Sequence, residues 1–164
     1  MKNKFNLETY IAFLTANGNR YSSVEASKAL NKTQDAPAHD SISRWLSSEE
    51  YKPTNLWQHV RSQVAMDGNL IVDDTVLDKR WSPKNELVHY HWSGNEHRTI
   101  RGIALVNLLA TDGEQCLPVD YRIYEGAESK TTKNDHFQKM LDIAEKRGFK
   151  PQYVLSDAWY SSLD

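Results

Sequence analysis

The sequence predicts a mixed α/β unit of β-β-β-α-β order, preceded by a small all-α region. Three observations predict it. Apolar residues recur at helical spacing through residues 1–68. From Asn69 the pattern changes to short β-branched and aliphatic runs: Leu70-Ile71-Val72, Thr99 to Ala110, Val119 to Tyr124 and Tyr153 to Ser156. One helical stripe, Phe137, Met140, Leu141 and Ala144, separates the third run from the fourth.

The elements follow in order. Leu7, Tyr10, Ile11 and Leu14 form one stripe, with Asn6 as N-cap and Asn17-Gly18-Asn19 as a stop. Ser22 and Glu25 have capping-box spacing and open a helix through Leu30. Asp40 opens a third helix, with Ile42, Trp45 and Leu46 on its apolar side. Thr54, after Pro53, starts a fourth, with Trp57, Val60 and Val64 in register. The second and third helices read either as a helix-turn-helix that shows Ser41, Ser43 and Arg44 to DNA, or as a small bundle with a solvated face. The domain boundary is expected near residues 65–69, giving a helical region 1–68 and an α/β unit 69–164. In that unit, Thr111-Asp112-Gly113 is a hairpin turn and Gly148 ends the helix.

Composition narrows the class. The chain has 39% hydrophobic and 26% charged residues, a globular balance that excludes a disordered tail. No segment nears the roughly 20 apolar residues of a membrane span, and no secretory signal is readable. A single cysteine, Cys116, excludes an internal disulfide and a cysteine-based zinc site, so a reducing cytoplasm is expected. Net charge is −2, but Lys79, Arg80, Lys84, Arg98 and Arg101 face only Glu86 and Glu96 within residues 79–101. That stretch, with His89, His91 and His97, reads as a phosphate-facing loop, as a solvated basic loop, or as a three-histidine metal site.

Two apolar strands end in carboxylates, at Asp73-Asp74 and at Asp157. A carboxylate at the end of a buried strand is costly to desolvate unless it is paired or holds a cation. The crossover helix can set the first and fourth strands side by side and parallel. Both ends would then meet at one sheet edge, as an oxygen site for Mg²⁺ or Mn²⁺. The other reading is that these residues cap turns. Neighbours on a strand point to opposite faces, so only one of Asp73 and Asp74 should reach such a site.

Leu70-Ile71-Val72-Asp73-Asp74-Thr75-Val76-Leu77-Asp78-Lys79 resembles the first catalytic segment of bacterial insertion-sequence transposases of the DDE, RNase H-like class. His91-Trp92-Ser93-Gly94, Pro118 to Tyr124, and Lys133-Asn134-Asp135-His136-Phe137 resemble intervening segments. Tyr153-Val154-Leu155-Ser156-Asp157-Ala158-Trp159-Tyr160-Ser161-Ser162 resembles the second catalytic segment. The resemblance covers residues 39–164. It implies an RNase H-like fold and Mg²⁺- or Mn²⁺-dependent cleavage and joining of DNA at transposon ends. Asp74 and Asp157 would be catalytic and metal-holding, with Asp73 as the alternate. Lys79, Arg80, Arg98, Arg101 and Arg44 would meet DNA. Self-association, or association with a full-length transposase, would complete the partners.

The third carboxylate of such transposases, a Glu, comes well after the second Asp, and only seven residues follow Asp157. The expectation is therefore the N-terminal part of a transposase, with an incomplete RNase H-like sheet, inactive alone. Two other readings stand beside it: a DNA-binding module or repressor derived from a transposase, and a short nuclease using Asp135 as its third carboxylate. Trp92 reads as either a base-stacking or a core residue, and Trp159 as core.

Overall fold

A computed structural model describes residues 5–18, 21–31, 37–82, 84–126 and 129–161. Asn19 and Ser162, used in the sequence reading, lie outside them. The chain divides into two compact units, 1–51 and 52–164.

The first unit holds three helices, α1 (Leu7–Ala16), α2 (Ser23–Leu30) and α3 (His39–Ser48). Asn6 caps α1 by accepting from the Thr9 amide at 2.9 Å, and Ser22 caps α2 by accepting from the Glu25 amide at 3.2 Å. These bonds satisfy amides that the first turn of a helix leaves unpaired. Phe5, Phe13, Ala26 and Ile42 are buried together, with the Phe5 and Trp45 rings edge-to-face at 4.9 Å. Residues 31–38 separate α2 from α3.

The second unit opens with α4 (Pro53–Val60), whose proline stands at the start, where its missing N–H costs no bond. Five strands follow: β1 (Asn69–Asp78), β2 (His89–Ser93), β3 (Arg98–Thr111), β4 (Cys116–Tyr124) and β5 (Val154–Ser156). Helix α5 (Lys133–Lys146) joins β4 to β5, and a 3₁₀ turn, Ala158–Ser161, follows β5. β1 pairs antiparallel with β3 along its whole length and parallel with β5. β3 pairs with β2 through Arg98–Gly102 and with β4 through Ala104–Thr111. A bulge at Leu108/Leu109 absorbs one extra residue of β4 beside Pro118, which has no N–H to donate. Gly102 permits the close approach of β1 to β3, because a Cβ there would stand 2.5 Å from the Leu77 carbonyl oxygen.

This is a mixed five-stranded sheet with a crossover helix, after N-terminal helices, consistent with the RNase H-like fold. The β-β-β-α-β order expected from the sequence is present, with β2 as an additional strand. Period-2 alternation divides the sheet faces. Leu70, Val72, Val106, Leu108 and Ala110 are buried on one face, beneath Met140 and Ala144 of α5 and in contact with Trp57 and Val60 of α4. Each fully buried aliphatic side chain there contributes about 1.5–3 kcal/mol. Helix α4, grouped with the helical region on sequence, packs on β4 within the second unit. β5 is short and exposed, including Val154 and Leu155.

Candidate active site

The strand expected to end at Asp73-Asp74 continues to Asp78, because Thr75, Val76 and Leu77 keep pairing with β3. Asp73 and Asp74 therefore lie in the middle of β1, while β5 does end at Ser156, just before Asp157. Val72 pairs with Ser156. One residue further on stand Asp73 and Asp157, where β5 gives way to the 3₁₀ turn. Asp74 shares the face of Leu70 and Val72, and its side chain is 25% exposed. Two groups of this chain hold it. Lys133, the first residue of α5, donates from Nζ to Oδ2 at 2.5 Å. The Tyr160 hydroxyl donates to Oδ1 at 3.2 Å. Tyr160 is buried, with its ring edge-on to Phe137. Burial, then the charge of Asp74, raises its phenol well above the ordinary tyrosine value, so it remains an O–H donor. The charges of Asp73 and Asp157 act on the same hydroxyl.

Asp73 and Asp157 are more open. Asp73 is exposed and accepts from the Asp74 amide at 2.8 Å. Asp157 is exposed, and its Oδ1 accepts from the Trp159 amide at 3.4 Å. Both line one open cleft with Asp74, Asp135, Lys133 and His91. Asp135 is committed to helix capping: its Oδ2 accepts from the Thr132 amide at 2.7 Å and the Thr132 hydroxyl at 2.8 Å. Those bonds lower its pKa below the usual aspartate value.

His91 is buried, and its Nε2 has no hydrogen-bond partner. Burial first, then the charges of His89 and Lys133, lowers its pKa below the ordinary histidine value, so the ring is neutral near pH 7. His97 sits in the turn after β2 at φ 49°. Among the described residues, no three His, Cys, Asp or Glu side chains gather to hold an ion.

The basic residues are disposed differently from one another. Arg80 pairs with Asp78 at 2.5 Å and Glu96 at 3.7 Å, and Arg98 pairs with Glu96 at 2.5 Å. The Arg80 bonds hold Asp78 below the usual carboxylate range. Arg101 stands over the Tyr90 ring at 5.8 Å, and Lys79 is exposed. In the first unit, Arg44 turns back on its own helix toward the Asp40 carbonyl and the Ser41 hydroxyl. Trp92 is 65% exposed. Trp159, expected in the core, is 70% exposed, because the 3₁₀ turn directs Tyr160 inward instead.

Sequence reasoning missed Lys133 and Tyr160 as partners of Asp74. Both lie in segments that resemble transposases, but nothing local in the sequence joins them to β1.

The cleft suits a hard divalent cation. Its donors are carboxylate oxygens, and a cation, the Lys133 ammonium, already stands on Asp74. Mg²⁺ is commonly held by one or two carboxylates, with water and substrate phosphate completing its shell.

A mixed sheet consistent with the RNase H-like fold, with carboxylates of β1 and of the turn after β5 lining one cleft, sets the chain among the α/β proteins. The chain belongs to the DDE superfamily endonucleases, whose family model matches residues 2–164. No curated protein and no solved structure matches it. The family implies transposase-related DNA cleavage, and it typically uses a divalent metal. Among the described residues, no helix is long and apolar enough to cross a membrane.

Proposed function

We propose that this chain carries the first two carboxylates of a transposase-type DNA strand-cleavage and strand-transfer centre, with Asp74 and Asp157 holding Mg²⁺ or Mn²⁺. The observation that carries this reading is the parallel pairing of β1 with β5: Asp74, in the middle of β1, and Asp157, just past the end of β5, line one cleft. Asp74 is favoured over Asp73 as the metal-holding residue because it shares the α5 face and is already held by Lys133 and Tyr160. Asp73 alternates with Asp74 along β1 and lines the same cleft, but it bonds its own neighbour's amide rather than Lys133 or Tyr160. The metal, when bound, would activate a water or 3′-hydroxyl and stabilise the leaving oxygen of a phosphodiester. Tyr160 keeps one oxygen of Asp74 oriented, and burial keeps that phenol protonated.

The DNA would be a transposon end. Lys79 and Arg101, which form no ion pair among the described residues, are the basic residues best placed to meet its phosphates. Arg80 and Arg98 are largely neutralised by Asp78 and Glu96. Two carboxylates fix one ion better than two, and the capping bonds of Asp135 leave it a poor third ligand. Residues 1–164 alone are therefore proposed to bind DNA without nicking or joining it at a useful rate.

The test is a nicking assay on supercoiled DNA in Mn²⁺ with the parent chain, Asp74→Asn and Asp135→Asn. No nicking by the parent is expected, together with DNA affinity that falls as salt rises. Robust nicking by the parent, lost in both variants, would overturn the two-carboxylate reading in favour of a short nuclease that uses Asp135.

A further inference from the structure

Asp74 already carries a positive charge. The Lys133 ammonium lies on its Oδ2, with both side chains about three-quarters buried. That ammonium also lies over the Tyr124 ring at 5.7 Å, but two features of the position are unfavourable for a lysine. Lys133 is the first residue of α5, where the helix dipole repels a cation. It also approaches His91, a buried ring kept neutral partly by this same lysine. The Asp74 carboxylate offsets both penalties.

The cleft is otherwise acidic. Asp73, Asp74, Asp135 and Asp157 line it, and Lys133 is the only Lys or Arg among its described lining residues. Such a cleft repels a polyanion until cations enter it. A divalent ion that uses Oδ2 of Asp74 must displace the ammonium. The lysine stem is a flexible four-carbon tether, so its charge can move without moving the helix. Once displaced, the ammonium remains in the cleft, where a DNA phosphate would be its strongest available partner.

We propose that Lys133 is a tethered counter-ion and positioning residue. It orients Asp74 before metal arrives, competes with the metal for that carboxylate, and passes to a substrate phosphate once the metal is bound. This inference rests on the assignment of Asp74 as a metal-holding residue.

The experiment measures Mn²⁺ affinity by the loss of the free-ion resonance, on the chain of residues 1–164. The variants are Lys133→Met, which keeps an unbranched apolar stem but removes the ammonium that lies over the Tyr124 ring, Lys133→Arg, which keeps the charge, and Asp74→Asn. Lys133→Gln replaces Lys133→Met if that protein does not fold. Removing the charge should tighten Mn²⁺ binding about tenfold or more, the range of one charge-assisted hydrogen bond. Lys133→Arg should bind as the parent does, and Asp74→Asn should lose the site. With Mn²⁺ saturating, Lys133→Met should bind a short duplex more weakly, with a salt slope lower by about one counterion. Unchanged or weaker Mn²⁺ binding in Lys133→Met, with binding lost in Asp74→Asn, would overturn the role of Lys133 and leave the site standing. Mn²⁺ binding that is absent from the parent and from Lys133→Met, or that is insensitive to Asp74→Asn, would overturn the site reading and this inference with it.

Discussion

Two acid–base clusters flank α5, and they differ in what they leave free. At its C-terminal end, Asp120 is fully buried. Its Oδ1 accepts from Arg122 at 2.6 Å and from the Tyr121 amide at 2.8 Å. Its Oδ2 accepts from Arg122 at 3.2 Å, with Arg147 at 3.9 Å. Arg147 also donates to the Val119 carbonyl at 2.7 Å and lies over the Trp57 ring at 4.8 Å, tying α5 to β4 and α4. At the N-terminal end, Asp74 has one flexible ammonium and one hydroxyl, and it faces a cleft. A fully buried carboxylate gripped by one guanidinium fork, with a second guanidinium nearby, holds the fold together. A carboxylate held by a displaceable cation can exchange that cation for another. Exposure and the rigidity of the partner, not the residue type, separate the closed acid from the open one.

The comparison can be broken most forcefully at the closed cluster. Asp120→Ala would strand two guanidinium groups in and near the core and should cost about 3–5 kcal/mol in urea unfolding. A loss below about 1 kcal/mol would mean that the cluster does not hold α5 to the sheet. At the open end, Thr132→Ala removes the cap of α5 and should cost about 1 kcal/mol by the same measurement. Asp74→Asn, without metal, should cost about 1 kcal/mol or less, because its ion pair is partly solvated.

The smallest effect concerns pH. Burial lowers the pKa of both His91 and His136, with Lys133 acting on the first and Lys139 on the second. Each takes up a proton less readily folded than unfolded. The stability they contribute is complete above the ordinary histidine value and is lost as pH falls through it toward the folded values. Thermal melts from about pH 7.5 to about pH 5.5 should show a falling Tm, and His91→Gln should flatten part of that fall.

Much of this architecture is legible in the sequence because it is written locally. Strand runs, the stripe of α5 and the caps at Asn6 and Ser22 all lie within a few residues of the feature they specify. An apolar run followed by Asp is a local signal too, and it marks the end of β5 before Asp157 but not the end of β1, which runs on past Asp74 to Asp78. β2 is less visible, because His89–Ser93 mixes aromatic and polar residues and lies against only half of β3. The packing partner of α4 is hidden as well, since amphipathicity reveals an apolar face but not what covers it. The partners of Asp74 lie 59 and 86 residues away, so only the closed sheet joins them. Arg80 and Arg98 are each paired with an acid two residues away, Asp78 and Glu96, and only the longer Arg80–Glu96 pair depends on the folded β2–β3 hairpin.

The central claim is that Asp74, with Asp157, is the carboxylate set to hold a divalent cation. Its most direct test is the rise in Tm on Mn²⁺ titration, compared across the parent, Asp73→Asn, Asp74→Asn and Asp157→Asn. Binding to the folded state alone raises Tm by linkage. The account predicts a saturable rise in the parent and in Asp73→Asn, and little or none in Asp74→Asn and Asp157→Asn. A rise that survives in Asp74→Asn and disappears in Asp73→Asn would contradict it.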